Sequence, residues 1–298
     1  MTTDLRTGTV RVPGATLHYE LRGAGPLLLI SDSGGGEVRR STEIAACLGD
    51  AFTVVTYDRR GFARSPLDRP GAPVPVAVHA EDMRLLLAEL TDAPVHVLGC
   101  ALGVLPALRA VLAAPAMFAT VVAHEPLAPA LLTGADRAEH VAAFEELEAD
   151  YRERGLPAAV VRISAMLGAG AAAQHRVQHS LDHDAGRAAA ATDPAVAGQR
   201  TANFDFILTN EIPQARTTPV NVTALRNVAV PIVPAVGEAT DPALFGSRCA
   251  YALGAALETA AVPFPGGHNA HFTHPVEYAR RLRDVLGRQS APTAPAQP

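Results

Sequence analysis

The sequence predicts an α/β protein: a mostly parallel, doubly wound sheet with an N-terminal hairpin and a helical cap inserted between two of its strands. Three observations predict it. Short, continuous apolar runs recur at residues 26–30, 52–57, 95–98 and 120–123, as strands buried on both faces require. Helical patterns separate these runs, and such alternation favours parallel strands joined by crossover helices. The alternation stops over residues 127–227 and then resumes.

Residues 9–12 and 15–21 alternate apolar with polar positions around Pro13-Gly14, the pattern of an antiparallel hairpin. Pro26-Leu27-Leu28-Leu29-Ile30 carries no polar residue and reads as an interior strand. Within residues 78–90, Met83, Leu86, Leu87 and Leu90 share one helical face. From 127 to 227 the patterns are helical, clearest at 137–154, with an Ala- and Gly-rich interruption near 168–173. No buried-strand run occurs there, so this stretch reads as the cap. Strand signal returns at 230–236, followed by a helix at 244–257, a strand at 260–264 and a helix at 276–286. The expected organisation is core at 1–126, cap at 127–227 and core again at 228–288. The tail at 289–298, rich in Ser, Pro, Ala and Thr, has too little apolar content to fold.

The 298 residues are 48% hydrophobic with a formal net charge of -5, enough for one domain carrying an inserted subdomain. No Lys/Arg-rich run points to nucleic acid or to an anionic membrane surface. No apolar run reaches membrane-spanning length. Met1-Thr2-Thr3-Asp4 lacks the charged-then-apolar pattern of a signal peptide. The expectation is a cytoplasmic protein acting on a small-molecule substrate, with a homodimer left open. Cys47, Cys100 and Cys249 are an odd count without metal-ligand spacing, and read as buried small hydrophobes in a reducing compartment. No cofactor and no metal are expected, since Gly34-Gly35-Gly36 lacks the lysine of a phosphate loop and no His/Asp/Glu spacing suggests ligation. A composition rich in Ala and Arg but poor in Lys resembles high-GC bacterial coding.

The chemistry-bearing residues cluster at strand ends. Val95-His96-Val97-Leu98-Gly99-Cys100-Ala101-Leu102-Gly103 joins a buried strand directly to a helix, with glycines flanking position 101 on both sides. That is the strand–turn–helix setting of a G-x-S-x-G nucleophile elbow, except that alanine stands at its centre. Ser31-Asp32-Ser33-Gly34-Gly35-Gly36 follows the first interior strand, and Tyr57-Asp58-Arg59-Arg60-Gly61-Phe62-Ala63-Arg64-Ser65 follows the next. His124-Glu125-Pro126 ends the strand after the elbow helix, and Phe264-Pro265-Gly266-Gly267-His268 ends the last strand.

Together these motifs resemble the α/β-hydrolase fold family, and within it bacterial hydrolases with T-Y-D-R-R-G, A-H-E-P and P-G-G-H-N patterns, over residues 8–287. Members of that group typically carry G-C-S-L-G at the elbow, so this chain departs from them by one residue, Ala101. The resemblance implies that His268 is the general base of a catalytic triad. It implies Glu125 as the preferred acid orienting that base, with Asp241 as the alternative. Glu125 could otherwise cap a following helix. The implied oxyanion hole uses backbone N–H groups of Leu102 and of Ser33, or of Asp32 if the loop shifts by one. An Asp32 carboxylate would repel a developing oxyanion, so its side chain is expected to turn away. Cys100 adjoins the apex and His271 follows the base closely; both are candidate pocket-lining, substrate-binding residues. Cys100 reads as a core thiol rather than a substitute nucleophile, and Ser31 as a loop-turn residue. His271 and His274 otherwise read as exposed loop histidines.

A methyl group cannot attack a carbonyl. Three readings of Ala101 stay open at this point. The serine of an ester, thioester or lactone hydrolase has been exchanged for alanine, leaving an inactive variant. Alternatively the alanine is native to a non-hydrolytic lyase or cyclase that uses His268 for acid–base chemistry. In the third reading the chain is a ligand-binding pseudoenzyme.

Overall fold

The computed structural model describes residues 5–32, 38–168 and 194–290. The apolar runs form one eight-stranded sheet: β1 (Leu5–Val12), β2 (Ala15–Arg22), β3 (Leu27–Ser31), β4 (Thr53–Tyr57), β5 (Val95–Cys100), β6 (Phe118–His124), β7 (Ile232–Gly237) and β8 (Val262–Phe264). Their spatial order is β1-β2-β4-β3-β5-β6-β7-β8. β1 and β2 pair antiparallel, and β2 joins β4 antiparallel. All pairings from β4 onward are parallel. Every residue of β5 and of β7 is buried, which is why their sequences alternate nothing and are apolar nearly throughout.

Helices cover both faces. On one side α1 (Thr42–Leu48) packs Ile44, Ala45 and Leu48 into a core shared with Tyr278, Leu282 and Leu286 of α11 (Pro275–Ser290). On the other side lie α2 (Val76–Leu90), α3 (Val104–Ala113) and α9 (Phe245–Ala256). Met83, Leu86 and Leu87 are the buried face of α2, as their spacing requires, while Leu90 is half-buried at its end.

Between β6 and β7 the chain is helical among the described residues. It runs through α4 (Gly134–Arg154), α5 (Leu156–Met166), α6 (Pro194–Phe206), a π-helical turn (Ile207–Glu211), α7 (Ile212–Thr217) and α8 (Val222–Asn227). Phe144, Leu147, Ile207 and Ile212 extend the apolar core of the α2–α3–α9 face into this segment. A short helix, α10 (Ala270–Thr273), follows β8.

Some boundaries differ from the sequence reading. β7 starts after Pro231, which has no N–H to give the ladder; its carbonyl accepts from Val121 N at 2.9 Å instead. α11 continues to Ser290 and so takes in the first two residues of the expected tail, because lengthening a formed helix adds a hydrogen bond without new nucleation. Residues 291–298, and residues 169–173 of the Ala- and Gly-rich interruption, lie outside the described residues. Among the described residues, no helix is long and apolar enough to cross a membrane, and no cluster of His, Cys, Asp or Glu could hold a metal ion.

Candidate active site

The elbow is built by close approach. β5 ends at Cys100 and the chain turns at once through Ala101–Gly103 into α3. Ala101 adopts φ +50°, a left-handed conformation that costs an alanine on the order of 1–2 kcal/mol. Gly103 has no substitute: a Cβ there would lie 2.0 Å from the Ser31 carbonyl oxygen. Ser31 Oγ donates to the Gly103 carbonyl at 3.0 Å, tying the end of β3 to the elbow. This is a structural use of Ser31, in line with its turn reading.

Glu125 leaves β6 at φ +41°, with its N–H donated to Ala235 O of β7 at 3.0 Å. Its carboxylate is buried and fully engaged. Oε1 accepts from Gly237 N at 2.8 Å, and Oε2 lies 2.7 Å from His268 Nδ1. Burial pushes the Glu125 pKa up, but the hydrogen bond and charge of His268 prevail and hold it down at about 2. The carboxylate is therefore ionised at neutral pH and accepts the Nδ1 proton, leaving Nε2 of His268 as the ring nitrogen available to a ligand. Asp241, the alternative acid, is exposed and accepts from Ala243 N at 2.8 Å in its own turn. Of the two candidate acids, Glu125 is the carboxylate in contact with His268.

One contributor escaped the sequence reading. Gly246, in the first turn of α9, packs on this pair: a Cβ there would sit 3.0 Å from Glu125 Cβ and 3.2 Å from His268 Nδ1. Its sequence signal, a glycine in the first turn of a helix, is too common to have singled it out.

Ala101, Leu102, Cys100 and His268 border a cavity of about 80 Å³. Its cap-side wall is apolar: Phe144 and Leu147 of α4, Ile163 and Met166 of α5, Phe204 of α6 and Ile212 of α7. Burial pushes the Cys100 thiol well above its ordinary pKa, so it stays protonated and is a poor nucleophile. His271 lines the cavity, as its pocket-lining reading expects, and is not the exposed loop histidine of the other reading; it is 2% exposed and sits in α10. Asp32 also borders the cavity, with Oδ1 at 3.2 Å from His271 Nε2 and Oδ2 accepting from Ser41 Oγ at 3.3 Å. Its charge is compensated from nearby, with Arg40 Nε at 3.8 Å. His274 is exposed and contacts Thr273 Oγ1 at 2.9 Å. Ser33 lies outside the described residues.

The turn after β4 braces the rim. Arg59 is buried and donates to the Asp32 carbonyl at 2.5 Å and to Glu211 Oε2 at 2.6 Å, joining the loop after β3 to the π-helical turn. Arg60 makes a bidentate pair with Asp82 of α2.

The strand order, the elbow and the Glu125–His268 pair are the frame that a family comparison must match. Residues 26–215 match the model of the alpha/beta hydrolase fold. The uncharacterized hydrolase YraK of Bacillus subtilis (strain 168) is 30% identical over 289 residues, covering 97% of this chain and 99% of the relative. The chain belongs to the α/β-hydrolase fold family. Among solved structures, a thermophilic esterase from Thermogutta terrifontis superposes with a TM-score of 0.71 at 16% identity, covering 96% of this chain and 100% of that one. The enol-lactonase from Burkholderia xenovorans LB400 gives a TM-score of 0.69 at 17% identity, covering 94% and 100%. At these identities the structures speak for the fold alone. Family membership and the hydrolase relative together support an enzyme of hydrolase type.

Proposed function

We propose that this chain is a hydrolase-type protein for the ester, thioester or lactone of a small, mainly apolar organic molecule, with Ala101 in the place of the covalent nucleophile. The observation that carries this reading is the 2.7 Å contact between His268 and a buried, ionised Glu125 at the elbow cavity. The helices between β6 and β7 act as the cap, and their apolar side chains receive the substrate's hydrocarbon part.

The chemistry follows from the groups present. Glu125 fixes the tautomer of His268, so Nε2 is a base toward the cavity. A hydroxyl at position 101 would give up its proton to that nitrogen and attack the carbonyl carbon. The methyl of Ala101 has neither proton nor lone pair to offer, so no acyl-enzyme forms. What remains is binding, polarisation of the carbonyl by the backbone N–H of Leu102, and attack by a water deprotonated by His268. Removing the nucleophile of such a triad leaves only a residual rate, roughly 10³–10⁴-fold above water.

The test is Ala101→Ser assayed on p-nitrophenyl acetate. The reading expects a gain of on the order of 10³-fold or more over the parent chain. A variant that folds but hydrolyses no faster than the parent refutes it. The Asp32–His271 contact at the same cavity, a second carboxylate–imidazole pair that the hydrolase reading leaves unused, favours a second reading, non-hydrolytic acid–base chemistry by His268. Under that reading Ala101→Ser changes turnover of the native substrate little, while His268→Ala abolishes it.

A further inference from the structure

The elbow cavity carries two carboxylate–imidazole pairs, and only Glu125–His268 is used by the hydrolase reading. In the second, Asp32 at the end of β3 meets His271 of α10 across a sequence separation of 239, with Oδ1 and Nε2 3.2 Å apart. Both side chains are buried and both line the same cavity as Ala101 and His268. The carboxylate is anchored on its other oxygen by Ser41 Oγ at 3.3 Å, and its backbone carbonyl is held by Arg59. The imidazole is held in place by its neighbours, with the Tyr278 ring centred 6.1 Å and the His124 ring 6.5 Å away. Nδ1 of His271 is buried and has no hydrogen-bond partner among the described residues.

A pair of purely structural use gains nothing from standing on a cavity wall, where a ligand displaces the water that would screen it. Burying such a pair costs desolvation that an apolar side chain would avoid. Its place is also informative. Asp32 stands at the end of β3, where an acyl-transfer site of this architecture gathers its oxyanion donors, and it brings a carboxylate hydrogen-bonded to an imidazole to that place. A proton donor and a base bordering one cavity, beside a methyl that cannot attack, suit the removal of one proton and the delivery of another in a single turnover.

We infer that Asp32–His271 is a second acid–base pair, and that with His268 it catalyses reversible loss of water from a small, uncharged β-hydroxy carbonyl compound. His268 Nε2 takes the proton from the carbon next to the carbonyl. The C–H electron pair passes first toward the carbonyl oxygen as an enolate facing the Leu102 N–H; as the carbonyl re-forms, the C=C bond forms and the bond from the β-carbon to its hydroxyl oxygen breaks. That oxygen leaves as water with the proton shared by His271 Nε2 and Asp32 Oδ1. His268 then gives its proton to solvent and the Asp32–His271 pair recovers one, so no oxidant, reductant or cofactor enters. This goes beyond the hydrolase reading, since no acyl bond is cleaved.

The test uses the full chain with methyl 3-hydroxybutanoate in D₂O, followed by proton NMR. The expected result is methyl crotonate together with deuterium at C2. His268→Ala should lose both signals. Asp32→Asn and His271→Gln should lose crotonate formation at least tenfold yet keep deuterium exchange at C2, a split that loss of packing would not produce. If Asp32→Asn melts below the assay temperature, His271→Gln carries the comparison. Crotonate formation undiminished in a folded Asp32→Asn or His271→Gln, or absent from the parent chain, overturns the inference. The same spectra report methanol. Methanol from Ala101→Ser with no crotonate from the parent sinks this proposal and leaves the hydrolase reading standing; crotonate without methanol does the reverse.

Discussion

Glu125→Gln isolates the interaction on which the site depends, and the structure sets its size. Holding the carboxyl at about 2 rather than an ordinary 4.5 corresponds to about 3 kcal/mol of native-state stabilisation of the ionised form. The sign is that of a depressed carboxylate. The contribution is complete above the unfolded value and is lost as pH falls through the folded value of about 2. Glutamine is isosteric and still accepts from Gly237 N, but its amide N–H₂ faces Nδ1 of His268, which must then become an acceptor. The proton moves to Nε2, and the cavity loses its base. Because a neutral hydrogen bond survives, the loss at pH 7 should be about 1–3 kcal/mol, falling to about 1 kcal/mol or less at pH 3. Urea denaturation of parent and variant at the two pH values measures this directly. A stability difference that is the same at both would show that Glu125 carries no special charge stabilisation, and the tautomer argument for His268 would fall with it.

Other consequences are equally open to measurement. Gly246→Ala puts a methyl within 3.0–3.2 Å of Glu125 and His268; it should destabilise by about 1–3 kcal/mol and lower ester hydrolysis when combined with Ala101→Ser. Arg59→Met strands the buried Glu211 carboxylate and should cost about 3–5 kcal/mol in urea, most of it recovered by adding Glu211→Leu. His124 is buried with its pKa pushed down from 6.5 to about 3 by burial, so folded protein refuses a proton that unfolded chain accepts. His124→Phe should therefore flatten the fall of stability between about pH 6.5 and pH 3, and an unchanged slope would assign the acid sensitivity elsewhere.

What was legible in the sequence is what short-range pattern controls. Leu27 to Ile30, Thr53 to Tyr57 and Val95 to Leu98 are mostly apolar because both faces of their strands are covered, and Gly99 and Gly103 flank the sharp elbow after the last of them. Glu125 and His268 were readable as candidates because each follows a recognisable strand. The pairing of Asp32 with His271, the bridge from Arg59 to Glu211 and the contact of Gly246 with the Glu125–His268 pair were not. Each joins residues far apart in sequence whose meeting depends on how helices pack after the sheet has formed, and no local periodicity encodes that. His271 was readable as a pocket-lining candidate but its burial was not, for the same reason: a His-Asn-Ala-His stretch reads as a loop until its second histidine is placed in α10.

The account turns on residue 101 standing before an imidazole that Glu125 has made a base. Reaction of folded Ala101→Ser with a fluorophosphonate, read by intact-protein mass and peptide mapping, tests this most directly. One phosphonyl adduct at residue 101, absent from the parent chain and suppressed by adding His268→Ala, is the predicted result. No adduct, or an adduct indifferent to His268, would contradict it.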